Sequence, residues 1–586
     1  MAEHDAEIRA GTFGYVQPRT LERTGTTTQT TDHGTKNKSI KSPTHDNLPS
    51  FPGDFEIQLL DITSPNREGE VTLLPHPKDG GGSWSELNIY EDIFSNCLTA
   101  NVQLTDGVGL MEDFPIVGEE TIHIQIKTKG IKKEREELHT GPFKGSDNEG
   151  RIDLKFRVYK ISDITRLNEG LTSYILHMVS EEYIINLKSK VQKVCRDPGT
   201  LEPIRISTMV SSLYKQFFKR GRPNAKKIFI EPTKNPTDLV IPNYSPFKAF
   251  KFLASRAVSA GQHAAGSSFV FYETVKGFFF VSLETLMSGG GVGYTGEEGS
   301  GASEEITYTA PENPVRETYV VQPKGLNIKK DNLKNIATEM LAVDSYKFSS
   351  NFDVIKNLTE GMYSNRLLTH DLVRMKYDTL DFNYLNPEDM KTKTEPIEGT
   401  SGGSEITEFI KAAEDAKKFH DTFTHLDKGK LCSNKQFAMG SPESVISFFP
   451  TNFGHDIRFK DDIGVQGVKG EVKGPLNIIP NRVEQWLQSR LVQSQQINNI
   501  KLNIRAPGLS TRTVGDLIEF KLPNTYLDNR GGETHAIHHK YLSGYYLITK
   551  LRHHFTREKY EIEFEAIKDA LNSSVGKNTT EARSGG

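Results

Sequence analysis

The sequence predicts an α+β fold that is mainly antiparallel β, with two similar barrel-like modules and a small α/β insert between them. Three observations predict it. Apolar and polar residues alternate strictly in several runs near each end of the chain, a glycine-acid turn precedes such runs twice, and helical periodicity dominates only in the middle. Alternation with period two buries one face of a strand and leaves the other in water, as in antiparallel sheets and small barrels.

The C-terminal module is expected at 481–571, where a helix precedes the β-rich part. Within it, the turn Val514-Gly515-Asp516 leads into alternating Ile518, Phe520 and Leu522. Two further alternating runs follow, at 545–553 and 560–566. These runs predict three strands with one buried face each.

The N-terminal module is expected at 51–187 and repeats this order. Val117-Gly118-Glu119-Glu120 leads into Ile122, Ile124 and Ile126, and alternating runs follow at 156–163 and 174–180. A turn and three strands in the same order suggest two copies of one unit. The alternative is that any two antiparallel sheets share such a pattern.

The insert is expected at 188–287. Ser207 is predicted to cap a helix whose apolar face carries Val210, Leu213, Tyr214 and Phe217. Ser245-Pro246 predicts the start of a second helix, since proline suits the first helical position. A hairpin is expected at 269–281.

The remaining segments are polar or rich in glycine. They are interpreted as a flexible N-terminal arm (1–50), a Gly-rich acidic loop (288–330), a connecting α+β region with polar excursions (331–480) and a flexible tail (572–586). Within them, 331–341 predicts a short amphipathic helix. Asn481 with Glu484 resembles a capping box at the start of the C-terminal module.

Composition excludes several classes of protein. The formal net charge of the 586 residues is -4, which argues against a protein that binds nucleic acid. No apolar run approaches the ~20 residues of a membrane span, and the N-terminus lacks an apolar signal core, so we expect synthesis in the cytoplasm and no membrane insertion. Cys97, Cys195 and Cys432 are far apart and are expected to be ordinary thiols.

No catalytic motif is found, so we expect a protein that is not an enzyme and has no catalytic, cofactor or metal residues. The Gly291 to Gly296 stretch matches GxGxxG, but no helix start follows it, and a dinucleotide site requires one. A histidine patch could ligate a metal. Three of its members lie in a polar insert and the other two alternate across a strand; the five are His535, His538, His539, His553 and His554.

The C-terminal signature resembles the central baseplate hub protein of contractile-tailed bacteriophages, which is related to the base module of type VI secretion spike proteins. The residues that carry the resemblance are Pro507-Gly508-Leu509, Val514-Gly515-Asp516 and the runs 544–553 and 560–564. The resemblance spans about 55–571 as a pattern with few identities. The N-terminal arm and the polar excursions depart from it.

The resemblance implies a homotrimeric ring between a six-fold tail tube and a three-fold spike, with a channel for DNA passage. Two modules in each of three chains would give six quasi-equivalent units. The implied partners are tail tube or tube-initiator proteins and a trimeric spike protein, with baseplate wedge proteins as a further candidate; DNA would pass without specific binding. The implied location is the baseplate of the virion tail.

Two loops, Asp106 to Val117 and Leu509 to Asp516, are the first candidates for contacts with the tube. The alternative for the same residues is turn chemistry, because glycine occurs wherever the backbone must bend. The candidate interface residues are Asp106, Gly107, Gly109, Phe114, Val117, Gly118, Pro507, Gly508, Leu509, Val514, Gly515 and Asp516.

Two other functions are weaker. A hub-associated cell-wall-degrading enzyme would need a hydrolase core, and no excursion is long or apolar enough for one. A carbohydrate-binding β-protein would need clustered aromatic residues, but the chain has only two tryptophans, Trp84 and Trp486.

Overall fold

The computed structural model describes most of the chain between its two termini. The described residues are 51–66, 69–74, 84–107, 109–114, 116–128, 151–197, 199–200, 202–222, 225–234, 236–260, 266–289, 293–294, 305–309, 317–321, 339–371, 376–384, 392–393, 426, 444–451, 483, 486–523, 538–539 and 541–571. Several predictions therefore lie outside them: the arm and tail, most of the helix at 331–341, the capping box, most of the GxGxxG stretch, Cys432 and His535.

The described residues form mostly strands. In chain order these are β1 Phe55–Thr63, β2 Glu70–Thr72, β3 Trp84–Asp92, β4 Thr99–Asp106, β5 Thr121–Thr128, β6 Arg151–Asn168, β7 Leu171–Ser180, β8 Val191–Val194, β9 Ile204–Arg205, β10 Ile228–Ile230, β11 Pro236–Thr237, β12 Val240–Tyr244, β13 Phe269–Thr274, β14 Gly277–Ser282, β15 Gly293–Tyr294, β16 Glu305–Thr309, β17 Glu317–Val320, β18 Ser345–Asn351, β19 Ser364–Asp371, β20 Lys376–Asn383, β21 Thr392–Lys393, β22 Ile446–Thr451, β23 Ile500–Pro507, β24 Leu517–Lys521, β25 Gly544–Thr556 and β26 Tyr560–Lys568. The helices are α1 Leu110–Asp113, α2 Glu181–Lys188, α3 Ile206–Tyr214, α4 Pro246–Ala254, α5 Leu283–Gly289, α6 Val354–Thr359 and α7 Leu487–Ile497. Among the described residues, no helix is long and apolar enough to cross a membrane.

One 13-stranded sheet contains strands from both ends of the chain. Its main path runs β18-β23-β26-β25-β3-β4-β7-β6-β5-β1-β2, and β24 with β17 branches from β25. Apart from the parallel pair β17–β24, neighbouring strands are antiparallel, so the mainly antiparallel fold is confirmed. A single hydrophobic cluster lies under this sheet and includes Ile89, Ile124, Ile518 and Phe564.

The two predicted modules have the same strand order. The N-terminal set runs β3-β4-β7-β6-β5-β1, and the C-terminal set runs β18-β23-β26-β25-β24-β17. The six strands of each set also follow one another along the chain in corresponding order. In each set the fifth strand along the chain, β6 or β25, is the long one. The sets differ at one place, because β1 pairs antiparallel with β5 whereas β17 pairs parallel with β24.

The register agrees as well as the order. In the N-terminal set Val158 pairs with Met178, and one residue is skipped before the next pair, Lys160 with His177. In the C-terminal set Ile548 pairs with Ala566, and the same skip precedes Lys550 with Glu565. The two long strands, β6 and β25, therefore have a β-bulge at corresponding positions. Within the described residues neither set closes on itself, so barrel-like closure stays a prediction.

The insert has its own aromatic core. Strands β13-β14-β10-β16-β15 form a five-stranded sheet, and α3 and α4 pack against it around Phe218, Phe250 and Phe278. The predicted start of α4 is confirmed, with Ser245 as N-cap and Pro246 in the first turn.

The predicted start of α3 is wrong by two residues, because Arg205 is the N-cap. The helix then continues into a π-helical turn, Lys215–Lys219. The wider turn rotates the helix, so that Phe218 is buried and Phe217 is only partly buried. A regular period of 3.6 residues from Val210 predicts that Phe217 is in the core, and the π-helical turn makes this prediction wrong.

Two predicted boundaries are wrong. The sequence predicts a loop over 288–330, but this segment contains two paired strands. Strand β16 lies beside β10 in the insert sheet, and β17 lies beside β24 in the C-terminal set. The C-terminal set also contains β18, which lies well before 481. The partners of these three strands lie far from them in the chain, and β16 and β17 have only five and four residues, so alternation alone does not reveal where they belong.

Candidate functional site

The two sets meet at one continuous pairing of strands, called the junction below. Strand β3 of the N-terminal set pairs with β25 of the C-terminal set, from Lys550 opposite Asp92 to Thr556 opposite Glu86. The first residues of β25 pair with β24 instead, from Leu517 opposite Leu547 to Phe520 opposite Gly544. The length of β25 thus lets one strand edge serve two sets.

A buried polar network crosses the junction. One carboxylate oxygen of Glu91 lies 3.1 Å from Nε2 of His553, and the other accepts hydrogen bonds from Thr513 Oγ1 at 2.5 Å and Val514 N at 3.1 Å. His553 Nδ1 lies 2.6 Å from the hydroxyl of Tyr560. Burial raises the pKa of Tyr560 well above its usual value. Every buried polar atom in this chain of contacts has a partner, as burial requires.

A second polar group lies on the opposite face of the junction. Arg552 donates to Asn88 Oδ1 at 2.9 Å and to Glu86 at 3.3 Å, and His554 Nε2 lies 3.2 Å from the same Glu86 carboxylate. The hydrogen bond from His554 lowers the pKa of Glu86 to about 2. Burial opposes the charged form of His554, but hydrogen bonds to Glu561 and Glu86 outweigh it and raise its pKa.

This geometry confirms one part of the histidine prediction, the alternation of His553 and His554 across a strand. His553 faces Glu91 and His554 faces Glu86, so the pair alternates across β25 as predicted. Among the described residues, no three His, Cys, Asp or Glu side chains form a group that could hold a metal ion. Cys97 and Cys195 are free thiols, and burial raises the pKa of each to about 12.

The first predicted loop is held in place by hydrogen bonds between residues that are close in sequence. Asp106 is buried and accepts from Met111 N at 3.1 Å, Gly109 (φ 76°) caps α1, and Phe114 is fully buried. Gly107 and Val117 are exposed, the latter by 64%.

The Glu120 carboxylate accepts hydrogen bonds from Val117 N at 2.8 Å and Gly118 N at 2.9 Å, which fixes the turn at Gly118 (φ 95°).

The second predicted loop packs inside this chain. Pro507, Leu509 and Val514 are buried. Gly508 N donates to Tyr560 O at 2.9 Å, and a Cβ on Gly508 would lie 2.2 Å from the Tyr560 ring.

The turn that ends this loop is equally constrained. Gly515 has a φ of 87° and donates to Ile548 O at 2.9 Å. Asp516 accepts from Thr513 N at 3.1 Å. A tube contact by either loop stays a prediction, and burial assigns Leu509 and Val514 to the core of this chain.

The insert is anchored to the N-terminal set through an ion cluster in which both carboxylates are buried and the lysine is 20% exposed. Lys226 contacts the carboxylates of Glu273 and Glu182, the latter at 3.1 Å, and also Ser180 Oγ at 3.1 Å. Glu273 in turn accepts from Leu98 N at 2.9 Å, just before β4. This cluster and the Glu91 network were both missed in the sequence, because their members lie far apart in the chain.

Comparisons with known proteins found similarity only among solved structures. No family model and no curated protein matches the sequence. A tail protein from Neisseria meningitidis MC58 is similar with a TM-score of 0.40 and 7% identity over 88% of this chain and 99% of that one. A 43 kDa tail protein of prophage MuSo2 from Shewanella oneidensis is similar with a TM-score of 0.38 and 8% identity, over 88% and 99%.

A third similar structure is an E. coli component of the type VI secretion system. It is described as structurally similar to the T4 bacteriophage tail proteins gp27 and gp5, and it has a TM-score of 0.32 and 8% identity, over 88% of this chain and 76% of that one. These three similar structures are thus two tail proteins and one component of a type VI secretion system. All three TM-scores lie below 0.5.

Proposed function

We propose that this chain is a structural phage tail protein, the central hub of a baseplate. In this proposal three copies form a ring that joins a six-fold tail tube to a three-fold spike and leaves a channel for DNA. The observation that carries it is the repetition within the chain: two sets of strands with the same order and the same bulge position.

The repetition supports the proposal through symmetry. Two similar sets in each of three chains give six similar units around one axis, which a six-fold partner can contact equivalently. The other features of the chain, such as the insert, occur once per chain and can present three-fold symmetry. A single set per chain could not serve both symmetries in a trimer.

The proposed partners follow from this arrangement. Tail tube or tube-initiator proteins would bind the six-unit face, a trimeric spike protein the other face, and baseplate wedge proteins the periphery. With a net charge of -4, the chain has no general excess of positive charge that would hold DNA in the channel. The proposed location is the virion tail, and the proposed role is not enzymatic.

Native mass spectrometry across a concentration series tests the proposal. We expect a species of three times the chain mass of 65.7 kDa, with little dimer. A monomer at every concentration, persisting after addition of the trimeric spike protein, would overturn the hub assignment. Loss of turbidity of purified cell wall on addition of the protein would instead favour the hub-associated enzyme.

A further inference from the structure

We infer that neighbouring copies of this chain join by strand pairing that repeats the junction. In this inference the outer edge of β18 in one copy pairs antiparallel with the second half of β6 in the next copy. The inference rests on the proposed ring, and it names the surfaces that close it. It follows from the correspondence of the two sets, strand by strand.

The acceptor strands correspond first. At the junction, the acceptor is β25 beyond its bulge, from Lys550 onwards. Its counterpart is β6 beyond its own bulge, from Lys160 onwards, because the two bulges occupy corresponding positions. The turns before them agree too: Val158 N donates to Glu120 O and Ile548 N to Asp516 O, both at 3.0 Å.

The donor strands correspond in the same way. Strand β3 is the outermost strand of the N-terminal set and pairs with β4, where Asn88 lies opposite Asn101. Strand β18 is the outermost strand of the C-terminal set and pairs with β23, where Lys347 lies opposite Asn503. Since β4 and β23 pair in the same register with β7 and β26, Asn88 and Lys347 hold equivalent positions.

Burial differs sharply between the filled junction and its counterpart. In β3, Leu87 and Ile89 are fully buried. In β18, the equivalent of Leu87 is Tyr346, which is 41% exposed.

The counterpart acceptor is likewise uncovered. Every residue from Asp163 to Asn168 is exposed, and Ile164 and Leu167 are exposed by 55% and 56%. Within the described part of the chain, no strand pairs with the second half of β6 on the side away from β7, or with β18 on the side away from β23.

The register between copies can be derived. At the junction His554 lies opposite Asn88 and Phe555 opposite Leu87. The counterpart of His554 is Thr165. His554 pairs with Glu561 on β26, Thr165 pairs with Ser173 on β7, and these two partners hold equivalent positions in the two sets. The extra residue in β6 is accommodated beside Asp163, which has a positive φ of 53°.

When the register of the junction is applied to β18 of one copy and β6 of the next, it gives two predicted contacts between copies. Thr165 should lie opposite Lys347, and Arg166 opposite Tyr346. Both sides of this contact include exposed apolar side chains, Ile164 and Leu167 on β6 and Tyr346 on β18.

The geometry favours a second copy of this chain as the partner. The two surfaces differ, so the contact is head-to-tail and each copy offers both an acceptor and a donor, which closes a ring when the rotation allows. Open strand edges invite uncontrolled pairing, and ring closure would cover both of them. Two copies pairing β18 with β18 would form a closed dimer instead, which native mass would reveal.

Disulfide trapping tests the register. Opposite Cα atoms in an antiparallel pair are about 4.5–5.5 Å apart, which a disulfide can bridge. The double variant Thr165→Cys/Lys347→Cys should give covalent two-chain and three-chain species on mild oxidation. The matched control Thr165→Cys/Ser345→Cys moves one thiol by about 7 Å along the strand and should give few. Each single variant reports disulfides with the three native cysteines.

A charge variant adds an independent readout. Ile164→Lys should shift assembly to at least tenfold higher protein concentration, whereas Val240→Lys, at a strand residue of the insert that is 63% exposed, should leave assembly unchanged. A trimer that forms without specific cross-linking of Thr165→Cys/Lys347→Cys would overturn this inference and leave the proposed ring intact. A chain that stays monomeric would overturn both.

Discussion

Glu91 and His553 are fully buried side chains whose carboxylate oxygen and ring nitrogen lie 3.1 Å apart, although they are 462 residues apart in sequence. They sit on adjacent strands of the junction, Glu91 on β3 and His553 on β25. The junction therefore holds the two sets together through side chains as well as through backbone pairing. Its stability should depend on this carboxylate.

Glu91→Ala should lower the free energy of unfolding by about 3 kcal/mol, because the hydroxyl of Thr513 and the amide of Val514 lose their shared acceptor in the core. Urea unfolding followed by fluorescence measures the change. The control is Glu119→Ala, at an exposed position, which should change stability by no more than about 0.5 kcal/mol. Equal effects of the two variants would contradict the role of the network.

Gly508→Ala should destabilise the chain by about 1–3 kcal/mol, because the new methyl group would overlap the ring of Tyr560. Tyr560 is itself stacked on Phe555 at 4.1 Å between ring centroids and cannot move aside easily. Gly170→Ala is the matched control, since no atom lies within 4 Å of the added carbon. Thermal unfolding of the two variants compares them directly, and a tolerated Gly508→Ala would show that the loop can shift.

His554→Gln should cost more stability near pH 5.5 than near pH 8.5. The raised pKa of His554 means that its charged form is favoured in the folded state, so its contribution is fully present below the unfolded pKa and is lost as pH rises through the folded one. The measurement is the difference in unfolding free energy between wild type and variant at the two pH values. A difference that grows with pH would contradict the assignment.

Lys226→Met should destabilise the chain by about 3–5 kcal/mol, because it leaves Glu182 and Glu273 close together without their cation. Burial raises the pKa of Glu273 even in the wild type, and losing Lys226 should raise the pKa of both carboxyl groups. A raised folded pKa gives stability that is lost as pH increases, so the variant should be relatively more stable near pH 5 than near pH 8. Lys227→Met, at the exposed neighbouring residue, should show neither effect.

Alternation in the sequence predicted the strands well but not all of their neighbours. Ile122, Ile124 and Ile126 have their side chains buried on one face of β5, as their spacing predicted. The spacing of Leu87 and Ile89 likewise defines a buried face, yet nothing in it specifies β25 as the partner, since any strand edge offers the same backbone groups.

The candidate residues show the same limit. Gly118 and Gly515 occupy turns with positive φ, which a glycine beside an acid suggested. The partner of Val514 was hidden, because Glu91 lies in a distant strand whose sequence resembles that of any other. Polar networks between distant strands leave no local periodicity, so they appear only once the strands are paired.

The pairing of β3 with β25 also sets an order of events during synthesis. Trp84–Asp92 leaves the ribosome long before Gly544–Thr556, and at about 5–20 residues per second the interval is on the order of half a minute to a minute and a half. Throughout that time the apolar edge of β3 has no native neighbour from its own chain. Each nascent chain is therefore exposed to pairing with another nascent chain, and slower translation would lengthen that period of risk.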